Sequence, residues 1–229
     1  MTKIVSRNNI MLIKQKRALI LSDFDGTICK TDIGNAVLSE FTRKSWDELD
    51  REYIKGAIGS RAAYEKIAPL IAGNREKMKD FVLARGKLAR GFSPFYKLCG
   101  KKNLDLKIVS DGLDFYIRSI LEKHGFPDIE FFSNVLEYGN DDSPAIKFPG
   151  MNALCGRCGT CKNSVLHSFR LMYEQIIYIG DGHSDICASR SADVVFAKGV
   201  LLKKYREENI PCIPFDDFST INQYLRKNY

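Results

Sequence analysis

The sequence has no apolar stretch that could cross a membrane, because no window of its 229 residues approaches the roughly 20 consecutive apolar residues that a transmembrane helix needs. The first residues also lack the apolar segment of a secretory signal. Hydrophobic residues nevertheless make up 45% of the chain, which is enough for one sizeable core. We therefore expect a soluble, globular, cytoplasmic protein with no membrane partner.

Acidic residues are absent from the first 17 residues, whereas five basic ones lie there: Lys3, Arg7, Lys14, Lys16 and Arg17. The net charge of +7 is thus mostly local, and the rest of the chain carries only about +2. A domain-wide basic surface for nucleic acid is not expected. Residues 1–17 are interpreted as a solvated basic arm, with a transit peptide or a tether to an anionic surface as alternatives. Met11 could be the true start, which would make residues 1–10 non-native.

An even cysteine count, typical of a disulfide framework, is missing: there are seven cysteines and no secretory signal. Reduced thiols are expected instead. Three of them, Cys155, Cys158 and Cys161, lie in the stretch CGRCGTCKN. Three thiols are one short of a structural zinc site, and the candidate fourth ligands (Cys99, His167 and His183) lack diagnostic spacing. A loop of reduced thiols that shapes a binding pocket is the interpretation that we favour.

Apolar, β-rich runs alternate with helical segments, which is typical of a Rossmann-like α/β fold with a parallel sheet. The strands are predicted at 18–22, 106–110, 176–180 and 194–196. The helices are predicted at 113–124, 163–173, 184–191 and 218–227. The segment 129–149 contains the turn signal YGNDDSP and is expected to form a hairpin or a long surface loop.

Residues 33–98 show the pattern of amphipathic helices and no convincing strand. This segment is longer than an ordinary crossover between two strands. We interpret this insertion as a small, all-helical cap. The α/β core then comprises residues 18–32 and 99–229. Trp46 is expected in the core of the cap, and Asp32 either caps the first cap helix or contacts a polar group of a ligand.

Acidic and phosphate-binding residue types follow the predicted strands, where parallel sheets bind their ligands. Each motif alone could be a turn or a helix cap. Together, two acids after one strand, a hydroxyl after the next, a lysine and a third acidic motif indicate a site for phosphoryl transfer. The motifs are Asp23-Phe24-Asp25-Gly26-Thr27, Ser110-Asp111-Gly112, Lys162 and Gly180-Asp181-Gly182-His183-Ser184-Asp185.

In this combination the sequence resembles the phosphatases of the haloacid dehalogenase superfamily. The motifs DFDGT, SDG, the lysine and GDGHSD span Asp23 to Asp185. The helical insertion is similar to the C1-type cap of phosphoserine phosphatases. The cysteine-rich stretch before Lys162 resembles the branch that contains methionine-salvage enol-phosphate phosphatases and phosphoethanolamine/phosphocholine phosphatases.

The resemblance implies that Asp23 is the nucleophile that forms an aspartyl-phosphate and also binds Mg²⁺. Asp25 would bind the metal through its main-chain carbonyl, and its side chain would act as general acid and then base. Asp181 would complete the metal ligands, and Asp185 would orient a metal-bound water.

The transferring phosphoryl group needs positive charge and hydrogen-bond donors around its oxygens. By resemblance, Ser110 and Lys162 supply a hydroxyl and a point charge. Backbone amides can add donors at four positions of the strand-end turns, since such turns are natural anion binders. These positions are Gly26, Thr27, Asp111 and Gly112.

The expected function is a Mg²⁺-dependent phosphomonoesterase acting on a small phosphorylated metabolite. A phosphoserine-like ester, an enol 1-phosphate of methionine salvage and a phosphocholine-like ester all fit a small capped pocket. The alternatives are a phosphomutase or phosphotransferase with the same site, and a zinc-containing nucleic-acid-binding module. Both a monomer and a homodimer are compatible with the sequence.

Overall fold

The structure, a computed structural model, describes residues 16–229. That part of the chain contains seven strands and ten α-helices. The strands are β1 (Lys16–Ser22), β2 (Asp105–Leu113), β3 (Phe131–Tyr138), β4 (Pro144–Lys147), β5 (Tyr173–Gly180), β6 (Val194–Ala197) and β7 (Ile213–Pro214). The helices are α1 (Ile33–Phe41), α2 (Asp47–Ile54), α3 (Ser60–Ile67), α4 (Arg75–Arg85), α5 (Phe92–Lys101), α6 (Asp114–Lys123), α7 (Lys162–Phe169), α8 (Ile186–Ser189), α9 (Gly199–Glu207) and α10 (Phe218–Asn228).

The strands form one sheet in the order β4-β3-β2-β1-β5-β6-β7. All neighbouring pairs are parallel except β3 and β4, which are antiparallel. Since β1 lies between β2 and β5, the ends of these three strands meet at the middle of one sheet edge. The predicted Rossmann-like α/β fold is confirmed.

Strand β1 is central because both of its faces are apolar and covered. Leu19 and Leu21 pack on one face of the sheet with residues of α7 and α9, whereas Ile20 packs on the other face with residues of α5, α6 and α10. Successive side chains of a strand point to opposite faces, so a continuous apolar run suits a strand that is buried on both sides.

The helical insertion between β1 and β2 contains α1 to α4, but its predicted end at residue 98 falls inside α5. The rings of α5 pack in the core: Phe95 lies 4.8 Å from Phe218 of α10, and Phe92 lies 5.3 Å from Phe126, measured between ring centroids. We propose that the cap ends before α5 and that the predicted boundary is placed too late.

Several predicted elements differ in extent from the observed ones. The extended segment 129–149 forms a hairpin, since β3 pairs antiparallel with β4. The helix predicted at 163–173 ends at Phe169, because the chain turns there to enter β5 at Tyr173. The helix predicted at 184–191 is only the four-residue α8 after a short helical turn. Helix α9 and the edge strand β7 were not predicted.

The predicted basic arm lies mostly outside the described residues, apart from Lys16 and Arg17. These two residues belong to β1. The Lys16 ammonium lies 2.7 Å from the Asp105 carboxylate, and the Arg17 guanidinium lies 4.5 Å from the centre of the Tyr229 ring. We propose that the arm ends before residue 16, where β1 begins.

Within residues 16–229, no helix combines the length and the apolar character that a bilayer crossing requires.

Candidate active site

A cavity of about 480 Å³ lies between the carboxyl ends of the strands and the first three cap helices. Its polar floor comes from the strand ends: Asp23, Asp25, Ser110, Asp111, Gly112, Asp181 and Gly182. Its cap wall is mostly apolar and aromatic: Leu38, Trp46, Tyr53, Ile54, Ala63, Tyr64 and Ile67. The polar residues of the same wall are Asp32, Asn35, Asp50 and Ser60. All four predicted phosphatase motifs reach this cavity or, in the case of Lys162, contact a residue that lines it.

The end of β1 turns sharply after Asp23, which lets two acids follow each other into the site. Gly26 adopts a φ of +69°, a conformation that glycine accepts easily. A Cβ atom at Gly26 would lie 2.4 Å from Oδ2 of Asp181. Glycine is therefore needed here both for the turn and for the close approach of Asp181.

Three carboxylates, those of Asp23, Asp181 and Asp185, offer ligand atoms within 4.8 Å of one another. No other group of three or more His, Cys, Asp or Glu side chains in residues 16–229 comes this close together. Hard oxygen donors at this spacing fit Mg²⁺. The group includes the two predicted carboxylate ligands, Asp23 and Asp181.

The oxygens of Asp185 already have partners. Its Oδ1 accepts hydrogen bonds from Lys162 Nζ and Tyr178 Oη, both at 2.7 Å. Its Oδ2 accepts from the backbone N–H groups of Asp181 at 3.0 Å and Gly182 at 2.9 Å. Asp185 is thus suited to hold its neighbours in place, whereas Asp23 and Asp181 are residues that line the cavity.

Lys162 is only 3% exposed, and its ammonium lies 2.9 Å from Oδ1 of Asp23. Burial lowers the pKa of Lys162, but the carboxylates of Asp185 and Asp23 outweigh it and raise the pKa. The lysine therefore stays charged. The pKa of Asp23 is raised well above its usual value by burial and by Asp185, with Lys162 acting in the opposite direction. A bound cation would favour the ionised form of Asp23 in the same way as Lys162 does.

The second acid of the turn, Asp25, is held by three hydrogen bonds. Its Oδ1 accepts from the N–H groups of Ile33 at 2.8 Å and Gly34 at 3.4 Å, and its Oδ2 accepts from Tyr116 Oη at 2.5 Å. Burial, followed by the charge of Asp32, raises the pKa of Asp25 to about 7, although these hydrogen bonds oppose the shift. A carboxyl group with a pKa near neutrality is suited to give and take a proton.

The predicted phosphate-binding residues lie around the same floor. Ser110 is 1% exposed, and its Oγ accepts a hydrogen bond of 3.0 Å from the Gly112 N–H. The Thr27 hydroxyl donates to Oδ1 of Asp181, so its side chain orients a predicted metal ligand. The carboxylate of Asp111 accepts from the Thr160 N–H at 2.9 Å. Burial raises the pKa of Asp111, and the Ser60 hydroxyl and the Thr160 amide oppose this shift.

The cap residues named from sequence have different positions. Asp32 accepts a hydrogen bond of 2.8 Å from the Asn35 N–H at the start of α1, which confirms its predicted capping role. Asp32 also lines the cavity, as does Tyr53 of α2. Trp46 is 9% exposed and packs in the hydrophobic core, as predicted.

The cysteine-rich loop connects the cap to the core through its backbone and Arg157. The Arg157 guanidinium donates to the Gly56 carbonyl at 2.7 Å, and the Gly159 N–H donates to Ser60 Oγ at 3.1 Å. The thiols of Cys155, Cys158 and Cys161 are free and are not gathered as a metal-ligating group. Burial and the nearby Asp111 raise the pKa of Cys158 to about 12, which keeps this thiol protonated. The backbone of the loop thus contacts two residues that line the cavity, Ser60 and Asp111, whereas its three thiols do not line it.

Sequence reasoning missed two tyrosines that hydrogen-bond to carboxylates of the candidate site. Tyr116 donates to Asp25, and Tyr178 donates to Asp185. Both are fully buried in apolar surroundings, so the sequence shows them as ordinary core residues of a helix and a strand. A buried tyrosine hydroxyl usually has a partner, but the partner is set by how the elements pack.

Comparison with known proteins agrees with this geometry. The model of the family described as "Putative Phosphatase" matches residues 18–209. The 2-hydroxy-3-keto-5-methylthiopentenyl-1-phosphate phosphatase of Geobacillus thermodenitrificans is 28% identical over 219 residues, which cover 93% of this chain and 97% of that protein.

Two solved structures show the same fold. A haloacid dehalogenase family hydrolase from Salmonella enterica serovar Typhi superposes with a TM-score of 0.73 at 19% identity, covering 94% of this chain and 73% of the other. A substrate-bound phosphoserine phosphatase superposes with a TM-score of 0.67 at 20% identity, covering 92% of this chain and 99% of the other. The chain therefore belongs to the Putative Phosphatase family, has the haloacid dehalogenase fold, and is a phosphoric monoester hydrolase.

Proposed function

We propose that this enzyme is a Mg²⁺-dependent phosphomonoesterase that transfers the phosphoryl group of a small metabolite to Asp23 and then to water. The observation that carries the proposal is that Asp23 and Asp181 lie together on the floor of one capped cavity, with the ammonium of the buried Lys162 in contact with Asp23 beneath it. A phosphate monoester is doubly anionic and resists attack by a carboxylate, so a site for it must hold compensating positive charge.

Asp23, Asp181 and the main-chain carbonyl of Asp25 are the groups that we expect to hold Mg²⁺, which would neutralise phosphate charge when it is bound. Lys162 adds a fixed positive charge 2.9 Å from the attacking carboxylate. We expect the hydroxyl of Ser110 and the amides of Gly112 and Thr27 to bind the remaining phosphoryl oxygens.

In the first step, a carboxylate oxygen of Asp23 bonds to phosphorus while the bond from phosphorus to the leaving oxygen breaks. The proton of Asp25 passes to that leaving oxygen. In the second step, a water oxygen bonds to phosphorus, its proton returns to Asp25, and the bond between Asp23 and phosphorus breaks. Asp25 can be protonated for the first step and ionised for the second, because its pKa is raised to about 7.

The substrate that we favour is an enol 1-phosphate with an apolar tail, as in the reaction for which the Geobacillus relative is named. The apolar part of the cap wall, including Leu38, Trp46 and Ile67, suits such a tail. Asp32 and Asp50 on the same wall would suit the ammonium group of a phosphoserine-like or phosphocholine-like ester. Phosphate release from these three ester classes, compared as kcat/KM, decides between them.

Replacing Asp23 tests the proposed nucleophile directly. We expect Asp23→Asn to abolish phosphate release from p-nitrophenyl phosphate, and we expect the wild type to need added Mg²⁺. The matched control is Asp141→Asn, which removes an exposed carboxylate in the turn between β3 and β4. Turnover that survives Asp23→Asn, or that persists in the wild type after chelation of all divalent metal, would refute the proposal.

A further inference from the structure

Tyr116 is the third residue of α6, and it is fully buried although it lines the cavity. It donates a hydrogen bond of 2.5 Å to Oδ2 of Asp25. The reaction steps proposed above do not use the Tyr116 hydroxyl, although it lies beside the carboxyl that transfers the proton.

The protein makes room for this hydroxyl with two glycines. A Cβ atom at Gly112 would lie 1.7 Å from the hydroxyl oxygen of Tyr116, and one at Gly34 would lie 3.1 Å from it. The ring is fixed by its neighbours, since its centroid lies 6.2 Å from that of Phe24 and 5.6 Å from that of Phe115. The hydroxyl is therefore held at one place between the end of β2 and the start of α1.

In this contact the Tyr116 hydroxyl is the donor and Oδ2 of Asp25 is the acceptor. The Oδ1 atom of Asp25 already accepts from the N–H groups of Ile33 and Gly34. The oxygen that remains for a transferable proton is Oδ2, which is the one that Tyr116 contacts.

We propose that Tyr116 is the positioning residue of the proton-transfer steps: its hydroxyl fixes the Asp25 carboxyl so that Oδ2 faces the leaving oxygen and later the attacking water. The proposal rests on the proposed phosphatase reaction. In this role Tyr116 acts through Asp25 and not on the reacting atoms. Its removal should therefore slow the reaction in proportion to how much the leaving group needs a proton.

Two esters of nearly the same shape separate this role from a structural one. The p-nitrophenolate ion leaves readily without a proton, whereas the phenolate ion leaves poorly. In single-turnover rapid-quench experiments, we expect Tyr116→Phe to slow phosphorylation of Asp23 by phenyl phosphate about 10- to 100-fold, which is part of the usual contribution of a general acid. With p-nitrophenyl phosphate we expect less than about a threefold change.

The ratio of the two rates does not depend on the fraction of folded enzyme, because partial unfolding lowers both rates equally. Tyr205→Phe is the matched control, since it removes another buried tyrosine hydroxyl, one that donates to Ser189 at 2.8 Å in the opposite face of the core. This variant should keep the wild-type ratio.

Equal losses with both esters, or no loss with either, would overturn the role of Tyr116 while leaving the phosphatase reaction in place. A wild-type enzyme that phosphorylates Asp23 with neither ester would overturn the proposed function, and the role of Tyr116 with it. A selective loss with phenyl phosphate supports the role.

Discussion

Gly26 shows at the scale of one residue how tightly the candidate site is built. It has a positive φ and leaves no room for a Cβ beside Asp181. We expect Gly26→Ala to destabilise the fold by about 1–2 kcal/mol through its left-handed conformation. We also expect it to weaken activation by Mg²⁺, because the added methyl group displaces the carboxylate of Asp181.

Gly125→Ala is the control for this prediction, since Gly125 has a φ of +80° and nothing within 4 Å of its Cβ position. Urea unfolding should show a similar loss for both variants, whereas a titration of activity with Mg²⁺ should change only for Gly26→Ala. An unchanged Mg²⁺ requirement in Gly26→Ala would show that Asp181 is not a ligand.

Asp193 provides a pH-dependent contribution to stability away from the site. It accepts hydrogen bonds from both terminal nitrogens of Arg170, at 2.5 and 2.6 Å, and from the Ile176 N–H at 2.7 Å. The Arg170 hydrogen bonds lower the pKa of Asp193 below its usual value of 3.8. The ionised form therefore stabilises the fold above this value, and the contribution is lost as the pH falls through the lowered pKa of the folded state.

We expect Asp193→Asn to lower the free energy of unfolding near neutral pH by about 1 kcal/mol, a modest value because the pair is partly exposed. The difference from the wild type should shrink to nothing well below the usual pKa of 3.8. Urea unfolding in chelator at several pH values measures this, with Glu174→Gln on β5 as the exposed control. A difference that does not vary with pH would contradict the ion-pair explanation.

At the scale of elements, the loop that contains Cys155, Cys158 and Cys161 joins the cap to the core, and we call it the strap. The Arg157 carbonyl accepts from the Arg61 N–H at 3.1 Å, close to the start of α3. A Cβ at Gly59 would lie 2.0 Å from that carbonyl oxygen. This crowding involves backbone and cannot be relieved by turning a side chain.

We expect Gly59→Ala to push α3 away from the strap and to raise KM several-fold, with a loss of stability of about 1–3 kcal/mol from overpacking. Gly100→Ala in α5 is the control, because nothing lies within 4 Å of its Cβ position. Steady-state kinetics with p-nitrophenyl phosphate and thermal unfolding check both variants. If Gly59→Ala kept the wild-type KM and Tm, the strap would have no part in placing the cap.

The elements that periodicity could predict are those with a strong local signal. The run Leu19-Ile20-Leu21 predicts β1 because both faces are apolar, and Asp217 marks the start of α10 with a side chain that accepts from the Ser219 N–H at 2.7 Å. Strand β3 was not assigned as a parallel neighbour of β2, because only its pairing places it in the sheet. The long helix predicted after Lys162 was wrong for a similar reason: the chain leaves α7 early to reach β5.

At the scale of the whole molecule, the site was predictable because its chemical groups follow strands that meet at one sheet edge. Asp23 and Asp181 directly follow β1 and β5, Ser110 lies in the last part of β2, and topology brings them together. Tyr116 and Tyr178 were not predictable, since their partners depend on how a helix and a strand pack against distant residues. The residues of the cap wall could not be predicted either, since the facing of a cap helix depends on how it packs.

The central claim is that Asp23 carries the phosphoryl group during turnover. The most direct measurement is a rapid quench of the wild-type enzyme with Mg²⁺ and p-nitrophenyl phosphate, followed by peptide mapping by mass spectrometry. We expect an acid-stable, hydroxylamine-sensitive phosphoryl group on Asp23 that forms no later than the first p-nitrophenol is released. Release of p-nitrophenol without a phosphorylated aspartate, or with the group on another residue, would contradict it.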